Sequence, residues 1–398
     1  MTTVLLAGSL DTKGAEYEFL AAELHAHGVK TLTVDVGVRG EPVIRPDISR
    51  ADVAKAAGVQ LADLVSGRDR ADALQVMADG LRVVVGERLA GIDGAVGMGG
   101  SGAVTLLAPA WCAMPFGFPR LLLTTMASTA SEAVDGSDVL VMPSPVDISG
   151  LNSFTTGLLR RAAAVMLASV GAPVPEKSAV PLVAASMFGV TTVGVVAATR
   201  AVEAAGFDVI TFHANGSGGR TMESLITQGV FAGVLDLTTT ELADELLGGK
   251  ASAGVNRLEA AGARGIPQVV SVGALDIANF GPPDTIPVPV RSRRAYRHGP
   301  VDTLVRTSVD DARTLGSTLA QKVCRSTGPV TMVLPVGGTS SLAEEGCEFW
   351  DPVAEEALVE ALLAGLSEDV KVSRVDAALN TETFGRNAAS ELLKLMAR

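Results

Sequence analysis

The chain has 398 residues, 47% of them apolar but only 4% aromatic, and a formal net charge of −12. Its length exceeds the range over which one core keeps growing, so two domains are expected. The interior must be filled by Ala, Val and Leu rather than rings, as in layered parallel sheets and helices. The acidic balance argues against a general nucleic-acid surface, which needs clustered Lys and Arg. Cys112, Cys324 and Cys347 are widely spaced with no C-x-x-C pair. That pattern argues against a disulfide framework or zinc site and points to a reducing, cytoplasmic setting.

In chain order, the apolar run Thr3 to Ala7 predicts a buried strand that breaks at Gly8-Ser9-Leu10-Asp11-Thr12-Lys13-Gly14. Ala15 to His27 has helical spacing, Gly28 ends it, and Lys30 to Val36 supplies a second strand. This is a βαβ unit whose crossover is expected to be right-handed. Further strands are expected at Gly94 to Gly97, Leu121 to Thr124 and Val139 to Met142, and helices over Asp69 to Leu89, Ala103 to Cys112 and Ser153 to Ser169. The prolines of Gly171-Ala-Pro-Val-Pro-Glu-Lys-Ser178 mark a linker, dividing a first lobe, 1–175, from a second, 176–398.

In the second lobe strands are expected at Leu182 to Ala185, Val209 to His213, Gly233 to Leu237, Gln268 to Val272, Val330 to Pro335 and Val372 to Val375. Helices are expected at Thr191 to Ala205 and Met222 to Gln228. The stretch Asn279 to Pro300 carries four prolines before Arg291, then an arginine cluster, and reads as a long functional or mobile loop. No segment approaches the roughly 20 apolar residues of a membrane helix. The expected fold is α/β, with two doubly wound, Rossmann-like lobes, mostly parallel sheets, and a cleft between them.

Three glycine-rich loops follow expected strands, at the edge where open α/β sheets bind ligands. In Gly8 to Gly14, backbone N–H groups with Ser9, Thr12 and Lys13 could hold an anion, and Asp11 a Mg²⁺ ion or a ribose hydroxyl. Ordinary helix capping competes with that reading. Gly97-Met-Gly-Gly-Ser-Gly102 puts Gly97, Gly99, Gly100, Ser101 and Gly102 before a helix, where backbone can approach a ligand closely. Thr125 belongs to a hydroxyl-rich segment after the next strand. In His213-Ala-Asn-Gly-Ser-Gly-Gly-Arg220, the glycines suggest an anion nest beside Arg220, and an imidazole is the usual proton-transfer group near neutrality. His213, Arg220 and Asp236 form the expected catalytic set. Walker A, G-x-S-x-G and H-E-x-x-H patterns are missing, which ranks P-loop, α/β-hydrolase and zinc-protease readings low.

Ala7 to Gly14, Gly97 to Gly102, Pro115-Phe-Gly-Phe-Pro-Arg120, Asp147-Ile-Ser-Gly-Leu-Asn152, His213 to Arg220 and Gly233 to Leu242 together resemble the ATP-binding-domain family related to the tomato mosaic virus resistance protein. The resemblance runs over nearly the whole chain. It implies ATP bound with Mg²⁺ in the first lobe and a homodimer. It also implies a separate barrel-domain protein as partner, because the plant member carries such a domain. At Leu379, before Asn380, the sequence departs from the histidine that the family pattern implies. The expected function is ATP-dependent activation of a small carboxylate or sugar-like metabolite. A nucleotide-responsive binding protein and an ATP-independent lyase or isomerase of a phosphorylated metabolite are the alternatives.

Overall fold

A computed structural model describes residues 1–67, 69–173 and 180–397. The chain divides into two units, Met1–Glu176 and Lys177–Arg398. Residues 174–178 of the expected linker lie outside the described residues.

The first unit contains strands β1 (Thr3–Gly8), β2 (Lys30–Asp35), β3 (Gly94–Gly99), β4 (Arg120–Thr124) and β5 (Leu140–Pro143). Its helices are α1 (Leu10–His25), α2 (Arg50–Ala56), α3 (Leu61–Gly67), α4 (Arg70–Arg88), α5 (Ser101–Cys112), α6 (Ala127–Ala133) and α7 (Ser153–Gly171). The strands form one parallel sheet in the order β2-β1-β3-β4-β5. β1 is apolar throughout because both sheet faces are covered. Val4 and Leu6 pack with residues of α1 and α7, whereas Leu5 and Ala7 pack with residues of α4 and α5, including the fully buried Trp111.

The second unit runs β6 (Leu182–Met187), α8 (Thr192–Ala204), β7 (Asp208–His213), α9 (Ser217–Thr227), β8 (Gly233–Thr238), α10 (Glu241–Leu247), α11 (Ala260–Arg264) and β9 (Gln268–Gly273). It continues with β10 (Ile277–Phe280), β11 (Ala295–Arg297), β12 (Thr303–Arg306), α12 (Val309–Cys324), β13 (Val330–Pro335), α13 (Pro352–Gly365), β14 (Lys371–Val375) and α14 (Glu382–Met396). Its main sheet is parallel in the order β14-β13-β9-β8-β6-β7.

Both main sheets wind the same way. In each unit the first strand lies between the second and the third, so the chain reverses its direction of travel there. A crevice opens at the carboxyl ends of strands flanking such a reversal, which is where doubly wound sheets bind ligands.

The stretch expected to be an aperiodic loop differs from that reading. Within it, the end of β10 and all of β11 join β12 in a three-stranded antiparallel sheet. Phe280, Ile286 and Val290 are buried against Ala278 and Val305. No local period shows this, because the central strand of the sheet, β12, lies beyond the stretch and the prolines interrupt any alternation.

Candidate functional site

In the first unit the reversal point lies between β1 and β3, and the loops that leave these strands face one cavity of about 250 Å³. Ser9, Asp11, Thr12 and Lys13 line it from the first loop, and Gly99, Gly100, Ser101 and Gly102 from the second. The expected cofactor residues are thereby brought together, with exceptions that have packing reasons. A side chain on Gly8 would begin 2.1 Å from the Tyr17 Oη, and one on Gly97 would begin 2.4 Å from the Leu107 Cδ1. These two glycines are required by the core, not by a ligand. Thr125 is not among the residues that line the cavity, although its Oγ1 is 3.6 Å from where a Gly100 side chain would begin.

Tyr17 ties the two sides of the crevice. Its buried hydroxyl donates to the Ala7 carbonyl at 2.5 Å and accepts from the Met98 N–H at 2.8 Å, bridging β1 and β3 behind the site. In front, no side chain caps α5, whose N-cap is Gly100. Gly99 has φ +146°, a conformation that L side chains rarely adopt, and it turns the chain from β3 into the helix. The first N–H groups of α5 and the positive end of its dipole therefore meet the cavity without competition.

The charges arrange themselves differently from the sequence reading. Lys13 lines the cavity, but its Nζ donates to the Ile148 carbonyl and lies 3.9 Å from Asp147 Oδ1, so it ties down the segment after β5. Of the cations that line this cavity, Arg39 and Arg70 have no ion pair among the described residues. Neither was singled out from sequence.

Asp11 is joined by a second carboxylate, Asp35, at the end of β2. Asp35 Oδ1 accepts from the N–H groups of Leu10 at 3.1 Å and Gly37 at 2.9 Å, and Asp11 Oδ2 accepts from Gly40 N–H at 2.9 Å. The other oxygens, Asp35 Oδ2 and Asp11 Oδ1, are buried without a partner. Both carboxylates crowd Gly37, where a side chain would begin 3.0 Å from Asp11 Oδ1 and 3.1 Å from Asp35 Oδ1. Burial pushes the Asp35 carboxyl up; the Gly37 and Leu10 N–H groups pull it down, and Asp11 adds a further upward push. Buried acceptors left unsatisfied are costly, so this pair suits a cation. The available signal was a carboxylate closing the second strand of a βαβ unit.

In the second unit the expected catalytic set is not assembled. Asp236 is buried; it accepts from the Ser186 hydroxyl at 2.7 Å and is held by both terminal nitrogens of Arg257. Arg257 is itself enclosed, donating also to Glu241 Oε2 at 2.5 Å and Glu223 Oε1 at 3.1 Å. Burial opposes its charge, but Asp236, Glu241 and Glu223 hold it well above its ordinary value. Arg220 donates to the Ser252 carbonyl at 2.5 Å. The glycine nest is already filled, since Gly216 and Gly219 donate their N–H groups to Glu241 Oε1 at 2.7 and 3.1 Å. The anion that this loop was expected to bind is thus a side chain of the same unit. His213 stands apart from this network, exposed at the end of β7 and stacked on Phe188.

Several hydroxyls and amides in the segments that carry the family resemblance, or next to them, serve the fold. Asn152 caps α7, Thr239 donates to the Ser271 carbonyl at 2.9 Å, and Thr240 donates to the Ile277 carbonyl at 3.0 Å. Asn380 accepts the Val193 N–H at 2.8 Å at the start of α8.

Comparison with known proteins matches residues 2–174 to the N-terminal domain and residues 180–396 to the C-terminal domain of an uncharacterised protein family, UPF0261. The chain belongs to that family. A member from Clostridium tetani is 38% identical over 399 residues, covering 99% of this chain and 98% of that protein. One from Rhizobium meliloti is 36% identical over 393 residues, covering 98% of each. The tomato protein "ToMV resistance protein Tm-1(GCR237)" is 34% identical over 313 residues, or 76% of this chain and 42% of the plant protein. The expected relation to the tomato protein therefore holds, while family membership says nothing about ATP. Among solved structures, the glycosyltransferase SnogD from Streptomyces nogalater covers 99% of this chain and 100% of its own, at 12% identity and a TM-score of 0.22. A likeness that weak carries no argument. No helix among the described residues is long and apolar enough to cross a membrane.

Proposed function

We propose that the first unit of this family member binds a nucleoside triphosphate with Mg²⁺, and that the chain is an ATP-dependent enzyme acting on a small anionic metabolite. The observation that carries the reading is the pair of unpartnered buried oxygens, Asp11 Oδ1 and Asp35 Oδ2. They belong to elements that converge with the uncapped start of α5 at one reversal point. Mg²⁺ is typically held by one or two carboxylates together with phosphate oxygens, and helix N-termini hold the phosphates themselves. Asp11 and Asp35 would hold the metal; the α5 N–H groups, Arg39 and Arg70 would hold the phosphate chain. When bound, the nucleotide supplies an electrophilic phosphoryl or adenylyl group.

A second reading, a nucleotide-responsive binding protein without catalysis, is favoured by one observation. Asp236 and Arg220, two of the three expected catalytic groups, are engaged in internal contacts. Both readings share the nucleotide site. Titration calorimetry with ATP, with and without Mg²⁺, tests it. Metal-dependent binding is expected, weakened at least about tenfold in Asp35→Asn. Because burial raises the Asp35 pKa and the metal needs the carboxylate, affinity falls as pH is lowered. No binding heat up to about 1 mM Mg·ATP refutes the proposal. Phosphorus NMR of ATP turnover in the presence of candidate metabolites separates the enzyme from the binding protein.

A further inference from the structure

The second unit has its own cavity, of about 420 Å³, at the carboxyl ends of β6 and β7 and against the small antiparallel sheet. One wall is the stacked pair Phe188 and His213, with ring centroids 5.3 Å apart and planes at 24°. Phe280 and Leu304 from the small sheet add apolar surface. The polar groups between these walls are His298, Lys250, Asp302, Asn279 and Asn215, whose Oδ1 already accepts the Gly218 N–H at 3.0 Å. The imidazoles of His213 and His298 make no hydrogen bond among the described residues. Lys250 pairs with Asp302, and both side chains are partly exposed.

Asn279 is the most constrained of the lining groups. Its Nδ2 donates to Asp244 Oδ2 at 2.7 Å and its N–H to Asp244 Oδ1 at 2.9 Å. Asp244 also accepts the Ala251 N–H at 3.1 Å, and Ala251 lines the cavity beside Lys250. With Nδ2 committed, the Oδ1 of Asn279 remains an acceptor with no hydrogen bond among the described residues. The cavity thus combines flat apolar walls, an acceptor fixed from behind, and an ammonium with imidazoles nearby. Few convergent polar groups in an apolar concavity are the usual anatomy of a small-molecule site.

We propose that this cavity binds a planar heteroaromatic carboxylate carrying a ring N–H. The ring lies against the Phe188 and His213 wall, in the offset geometry that aromatic pairs favour. The carboxylate is answered by the Lys250 ammonium and an imidazole N–H. The ring N–H is answered by Asn279 Oδ1 or by the Asp302 carboxylate, which otherwise opposes an anion. The inference deepens the proposed function by naming the class of its second ligand. It is tested on nucleotide-free protein, so its failure leaves the nucleotide reading untouched.

The chain has only four histidines, His25, His27, His213 and His298. The first two lie in the first unit, on or just after α1. Ring-labelled histidine NMR of the full chain therefore carries its own control. Titrating pyrrole-2-carboxylate is expected to shift the His213 and His298 signals and leave His25 and His27 unchanged. Pyrrole-2-carboxamide, without the charge, and furan-2-carboxylate, without the ring N–H, are each expected to bind at least about fivefold more weakly. Lys250→Ala, at a partly exposed pair whose loss leaves the fold intact, is expected to weaken the carboxylate about tenfold. The proposal is overturned if no selective shift appears up to about 10 mM ligand, if all four signals move together, or if the carboxamide binds as tightly as the acid.

Discussion

Replacing Arg257 by methionine separates a structural glycine nest from a ligand-binding one. The guanidinium is fully enclosed and contacts Asp236, Glu241 and Glu223. Methionine keeps much of the volume but leaves Asp236 and Glu241 buried without their cation. Breaking a buried pair by removing one partner costs about 3–5 kcal/mol, because the remaining charge has no compensation. In a domain of this size each kcal/mol lowers Tm by about 2–4 °C, so a fall of roughly 6–20 °C is expected. The loss depends on pH in a definite sense. Burial already pushes the Glu241 carboxyl up against the pull of Arg257, and without Arg257 that push is unopposed, so protonation relieves the penalty. The variant should lie furthest below wild type near pH 8 and recover as pH falls toward about 5.5. Urea unfolding of both proteins, followed by circular dichroism across that range, measures this. A loss below about 1 kcal/mol, or one independent of pH, would refute the assignment of Glu241 as the anion held by Gly216 and Gly219.

At the first site, Gly8→Ala should destabilise by a few kcal/mol, because its Cβ would begin 2.1 Å from the Tyr17 hydroxyl. Tyr17→Phe alone should cost about 1–3 kcal/mol for the Met98 N–H it leaves unpaired. The double variant should cost close to the sum, since the phenylalanine keeps the ring carbons Cε2 and Cζ, each 2.4 Å from where the Gly8 side chain would begin; thermal unfolding of the three variants tests this. In the second unit, burial pushes Asp244 and Glu355 each up to about 7. Both exceed ordinary carboxyl values, so the folded state holds protons that the unfolded chain releases. Their contribution is complete below about pH 4 and is lost as pH rises through about 7, so the urea midpoint should fall between roughly pH 6 and pH 8. Asp244→Asn should flatten part of that slope.

The alternation of short apolar runs with helical periods made the two parallel sheets and most strand ends readable, because strand and helix are encoded within a few residues. The same local signal located the loops after β1 and β3, whose Ser9, Asp11 and Gly99 to Gly102 share a cavity. It could not say what fills a loop. Glu241 lies 25 residues from the Gly216 N–H it accepts, and Arg257 lies 21 residues from Asp236. Arg39 and Arg70 reach the first cavity, and Asp35 comes beside Asp11 at Gly37, only because the sheet order brings the ends of β1, β2 and β3 and the start of α4 together. Sequence by itself determined the fold class, the acidic charge balance and the strand ends at which the glycine-rich loops lie. Tertiary structure decided which glycine loop remains open and which is closed by its own carboxylate, since that depends on charges that meet only after the strands are ordered.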